Sequence, residues 1–233
     1  MLPQFKKSIA LICLIGVNLY TPLALANQHV TLDIGHSPGR SGAISPTGNK
    51  EYDYNINLTQ IIYAKLQAND IKVSYSLPES NLEAKLTART ANTHNSDLFV
   101  SIHHDSMPQE WIDQGLNETL SGYSVFISKL NKFPVESYNC AQHIGYELGN
   151  GFESPSLYHA IEYKGKSKPL LNKDFGVHQF DNLVVLKTAQ TPAVLVEAGV
   201  ITNPHEDIRL KNPEVVEKLA DSITKGIISC LKK

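Results

Sequence analysis

The sequence predicts an α/β fold, a single domain on an open, mostly parallel twisted sheet with helices on both faces. Three observations predict it. Short apolar, β-branched runs alternate with segments of helical period. No linker-like, repetitive or low-complexity stretch divides residues 27–233, a length that suits one core. Polar residues able to do chemistry fall at the carboxyl ends of the apolar runs, where open α/β sheets form their ligand crevice.

In chain order, "HVTLDIG" (29–35) is the first strand. After a Gly/Ser/Pro loop, Tyr54, Leu58, Ile61, Ile62 and Leu66 mark one face of a helix. "IKVSYS" alternates as a strand, and residues 79–93 return to helix. "SDLFVSIHH" (96–104) and "GYSVFIS" (122–128) are further strands, followed by a helix over 137–148. Residues 150–180 mix Gly, Pro, Lys and aromatics without a clear period, and are expected as a long surface insertion loop. His159 and His178 within it are open to a contact with a metal or substrate, with a surface histidine the default expectation for both. "NLVVLK" and "PAVLVEAG" (192–199) are expected strands, and Val215, Val216, Leu219, Ile223 and Ile227 mark a closing helix. Before that helix, Asn203-Pro204-His205-Glu206 carries the cap, first-position proline and third-position glutamate of a helix start, so His205 receives no catalytic role.

Residues 1–26 read as a signal peptide. Lys6 and Lys7 precede the apolar run from Ile9 to Leu19, which is too short to span a bilayer, and Ala24-Leu25-Ala26 supplies a cleavage pattern. The mature protein, residues 27–233, is therefore expected to be exported and to be periplasmic or secreted. Ile12 before Cys13 is unlike a lipoprotein processing site, and no later segment resembles a membrane helix, so neither a lipid anchor nor stable membrane insertion is expected. The chain has 23 acidic and 21 basic residues, a balance that does not suggest nucleic-acid binding. For Cys140 and Cys230 a disulfide and a pair of buried thiols are both open, since sequence supplies no distance between them. Oligomeric state is not indicated.

Gly35-His36-Ser37-Pro38-Gly39 fits the G-x-S-x-G pattern of a serine nucleophile. Such an elbow needs the backbone N–H of the residue after the serine as an oxyanion donor. Here that residue is Pro38, which has none. Ser37 is expected to shape the loop, and His36 becomes the residue of interest. Catalytic zinc takes three His or carboxylate ligands and leaves one position for water. His36, Glu51 at the start of the first helix and His103 at the end of a strand supply such a set, leaving Glu197 as a base. Nine histidines leave other combinations open. Side chains alternate across a strand, so only one of His103 and His104 can face the site. Arg89 either pairs with a carboxylate near the site or is a solvated or structural arginine.

The segments "LDIGHSPGRSGAISPTGNKEYDYN", "LTARTANTHNSDLFVSIHHDS" and "TPAVLVEAGVITNP" together resemble the zinc-dependent N-acetylmuramoyl-L-alanine amidases of type 3, over residues 30 to 228. The resemblance implies one zinc ion on His36, Glu51 and His103, with Glu197 as the catalytic carboxylate. It implies peptidoglycan as substrate and cleavage between the lactyl group of muramic acid and L-alanine of the stem peptide. The chain departs from the family in having Ser37 after the first histidine and His104 after the second. A zinc peptidase or another amidohydrolase on the same site, and a peptidoglycan-binding protein without activity, are the alternatives.

Overall fold

The computed structural model describes residues 27–78 and 81–232; the expected signal peptide lies outside them. Seven strands form one sheet: β1 (His29–Ile34), β2 (Lys72–Tyr75), β3 (Leu98–Asp105), β4 (Ser124–Ile127), β5 (Leu170–Asn172), β6 (Val177–Gln179) and β7 (Ala193–Val200). Their spatial order is β2-β1-β3-β7-β4-β6-β5. The pairs β1–β2, β1–β3, β3–β7 and β4–β6 are parallel, whereas β4–β7 and β5–β6 are antiparallel. The expected α/β architecture with a mostly parallel sheet is therefore present.

The alternation of side chains divides the core. Val30, Leu32, Val100, Ile102, Val194, Val196 and Ala198 project to one face. There they meet the long helices α1 (Glu51–Gln67), α3 (Pro134–Asn150) and α6 (Pro213–Leu231). In α1 the turns spaced at Leu58, Ile62 and Leu66 are buried, with Ile61 at the margin. Helices α3 and α6 touch where Gly226 faces Ile144; a Cβ on Gly226 would lie 2.5 Å from the Ile144 Cα. Cys140 on α3 and Cys230 on α6 form a disulfide across this contact, with Cα atoms 4.9 Å apart.

The opposite face is thinly covered. Phe99, Phe126, Ala193 and Leu195 pack against one short helix, α4 (Val184–Thr188). Among the described residues no long helix packs on this side, the face that carries His103 and Glu197. Two short helices complete the fold, α2 (Gln109–Asp113) and α5 (Pro204–Arg209). Among the described residues no helix is long and apolar enough to cross a membrane.

Three elements differ from the sequence reading. Residues 184–187 of the expected "NLVVLK" strand lie in helix α4: a short apolar run does not distinguish a buried strand from a buried helical turn. Of the helix expected over 79–93, residues 79–80 lie outside the described residues, and the rest carries 3-10 turns at Leu86–Thr90 and Thr93–Asn95. Thr90 Oγ1 donates to the Thr87 carbonyl and Thr93 Oγ1 to the Thr90 carbonyl, hydroxyl bonds to nearby carbonyls that compete with a regular helix. The 150–180 segment is not simply a surface loop. It supplies β5 and β6, and it buries both His159 and His178.

Candidate active site

The chain leaves β1 through Gly35 into His36, whose φ of 66° is left-handed. A buried ion pair holds this turn. Arg89 donates to Asp33 Oδ1 (2.8 Å), to the Ile34 carbonyl (2.6 Å) and to the His36 carbonyl (2.5 Å). Asp33 also accepts from Ser76 and Ser101, so its carboxylate is fully engaged in the interior. Arg89 is therefore not solvated: it pairs with a carboxylate next to the site and is structural at once. Ser37 Oγ donates to Glu83, which also accepts the Gly39 N–H, so the serine fastens the loop as expected.

The loop then delivers Glu51 at the first position of α1. Its N–H donates to the Ala43 carbonyl and that of Tyr52 to the Ser41 carbonyl, which satisfies two of the orphan donors at the helix start. Glu51 Oε1 stands 2.9 Å from His36 Nε2 and 3.1 Å from His103 Nδ1. The three ligand atoms lie within 4.8 Å of one another. Burial alone would raise the Glu51 pKa, but hydrogen bonds from His103 and His36 hold it well below the carboxylate range. Two glycines clear space for this cluster. A Cβ on Gly42 would lie 2.3 Å from Glu51 Oε2, and one on Gly35 would lie 2.6 Å from the His103 ring.

His103 and His104 diverge as the strand alternation requires. His103 joins the cluster, while His104 turns to the helix face and its Nδ1 meets Asn55 Oδ1 at 2.8 Å. Burial pushes the His104 pKa down to about 4, so it is neutral. Asn55 donates in turn to Glu51 Oε1 and to the Gly35 carbonyl, tying the two faces together.

Glu197 sits opposite His103 in the β3–β7 register, on the same sheet face. Its Oε2 is buried and has no hydrogen-bond partner among the described residues. Burial, then the charges of Asp105 and Glu51, push its pKa well above the carboxylate range, against the opposing effect of Lys168. A cavity of about 310 Å3 opens beside His36 and His103, with Arg40, Leu86, Leu183 and Leu195 along its wall.

Sequence reasoning missed a second cluster on this face. Asp105, two positions beyond His103, accepts the Tyr158 hydroxyl and lies 2.5 Å from His159 Nε2. His159 Nδ1 lies 2.9 Å from Lys168 Nζ. Burial lowers the Lys168 pKa, while Asp105 and Glu197 raise it. No local pattern links residues more than 50 positions apart, so these groups carry no signal in the sequence.

Residues 30–229 match the Amidase_3 family, described as N-acetylmuramoyl-L-alanine amidase. The chain belongs to this family. Among relatives of this amidase, AmiA of Escherichia coli (strain K12), an N-acetylmuramoyl-L-alanine amidase, is 26% identical over 224 residues, covering 86% of this chain and 75% of AmiA. YqiI of Bacillus subtilis (strain 168) is 29% identical over 208 residues, covering 88% of this chain and 85% of YqiI. Among solved structures, the N-acetylmuramyl-L-alanine amidase Ami1 from Mycobacterium smegmatis superimposes with a TM-score of 0.73 at 26% identity, covering 89% of this amidase and 98% of Ami1.

Proposed function

We propose that this enzyme is a zinc-dependent cell wall hydrolase that cleaves the amide bond between the lactyl group of N-acetylmuramic acid and L-alanine of the peptidoglycan stem peptide. The observation that carries the reading is the convergence of His36, Glu51 and His103 within ligand distance of one another, beside the buried carboxylate of Glu197.

The donor set fits one zinc ion. Two neutral imidazole nitrogens and one carboxylate oxygen are a common catalytic zinc set, and the proximity of both histidines favours the ionised form of Glu51 that a ligand requires. Gly35 and Gly42 leave room in which the three side chains can close on an ion. Zinc bound there would supply Lewis acidity, lowering the pKa of water toward about 7 and polarising the scissile carbonyl.

The protein's own groups do the rest. Asp33 and Arg89 fix the turn from which His36 projects, and Asn55 orients Glu51 and His104. Glu197 is set to take the proton of the attacking water and return it to the leaving amine. Burial raises its pKa above the ordinary carboxylate range, which favours a group that must give back the proton it takes. Among the described residues no long helix stands over β3 and β7, which supports a polymer as substrate on this face. Export through residues 1–26 would bring the enzyme to that polymer.

Digestion of purified peptidoglycan followed by mass analysis tests this reading. Free stem peptides beside intact glycan strands are expected; cut peptide cross-bridges with the muramoyl amide intact would replace it with a peptidase.

A further inference from the structure

The Asp105–His159–Lys168 cluster is not used by the hydrolysis described above. An ammonium has donors and no acceptor, so Lys168 Nζ donates to His159 Nδ1. The His159 proton is therefore on Nε2, from which it is donated to Asp105. Asp105 also accepts the Tyr158 hydroxyl. The chain of donors runs in one direction, fixing the imidazole tautomer and through it the position of the ammonium.

That ammonium packs against aromatic rings on the sheet face that carries Glu197. It lies 4.9 Å from the Phe180 ring centroid and 5.6 Å from that of Phe126, and the His159 ring meets Phe126 edge-on at 4.9 Å. On β4, Phe126 pairs with Leu195 and Ser124 with Glu197, so Phe126 and Glu197 point to the same side. Across the sheet the order is then His103 on β3, Glu197 on β7 and Lys168 above Phe126 on β4. Among the described residues His159 is the hydrogen-bond acceptor for Lys168 Nζ, which leaves two of its three donors for a ligand.

We propose that Lys168 is a specificity-determining residue that binds a carboxylate on the peptide side of the scissile amide. The side follows from Glu197, which hands its proton to the leaving amine and stands between His103 and Lys168. The assignment thus rests on the amidase reading above. His159 and Asp105 act through Lys168 and are positioning residues.

The test uses the zinc-loaded enzyme and two substrates, muramoyl-alanyl-glutamate and the same molecule with its glutamate carboxylates converted to carboxamides. Kinetics are paired with calorimetric binding of the two released peptides. The wild type should favour the carboxylate form by about tenfold or more in KM and in peptide affinity, the scale of a charge-assisted contact. Lys168→Met should abolish that preference, with the loss in KM for the carboxylate substrate, and Lys168→Arg should keep most of it. An undiminished preference in Lys168→Met, or an equal fall in kcat on both substrates, would overturn the assignment. If the wild type left the muramoyl–alanine bond of both substrates intact, the amidase reading would fail, while peptide binding would still decide the role of Lys168.

Discussion

His103 and Glu197 are direct neighbours across the parallel strands β3 and β7, facing the same side of the sheet. This places an imidazole of the ligand cluster next to a carboxylate that has lost its water without gaining a hydrogen bond at Oε2. Folding therefore favours protonated Glu197. Its folded pKa lies above the unfolded value, so the ionised form destabilises the metal-free protein. The penalty is absent below the unfolded carboxylate pKa and reaches its full size above the raised folded one. Metal-free Glu197→Gln should therefore be more stable than the wild type to urea at pH 8, with the gap closing near pH 4; equal stability at both values would contradict this.

The Asp33–Arg89 pair is buried, with side chains 1% and 6% exposed. Removing one partner strands the other, so Arg89→Met should cost on the order of 3–5 kcal/mol in denaturant unfolding. Because Arg89 also holds the His36 carbonyl, zinc affinity measured by chelator competition should fall as well.

Ser37 tests the rejected serine mechanism. Its hydroxyl donates to Glu83, and Pro38 offers no oxyanion donor. Ser37→Ala should lose about 1 kcal/mol of stability and keep most activity, as measured by dye release from labelled cell walls.

The disulfide between Cys140 and Cys230 closes a loop spanning 90 positions and joins α3 to α6. The double change to serine should lower stability by about 2–4 kcal/mol in denaturant unfolding. The active face lies on the opposite side of the sheet from this bridge, so activity at low temperature should persist.

The parts of this fold legible in the sequence were those with local signals. The apolar runs of β1, β3 and β7 and the periodic faces of α1 and α6 coincide with observed elements. His36, Glu51, His103 and Glu197 could be singled out because His36 follows β1, Glu51 begins α1, and His103 and Glu197 lie in the carboxyl-terminal halves of β3 and β7. The apolar run Leu183–Leu186 has no such marker; its last three residues are helical and Val185 and Leu186 pack with Phe99 and Leu195. Strands β5 and β6 are three residues each, too short for a period to register. Lys168 and His159 gain meaning only from Asp105, 54 positions before His159. The disulfide was undecidable for the same reason, since a distance between helices is a property of the folded chain.

Zinc content measured beside activity is the most direct test of the central claim. Wild type and Glu197→Gln should each hold one zinc ion per chain, while the latter loses about 100- to 10,000-fold in rate. The double variant His36→Ala, His103→Ala should hold almost none and be inactive. Full zinc occupancy in that double variant, or undiminished activity in Glu197→Gln, would contradict the account.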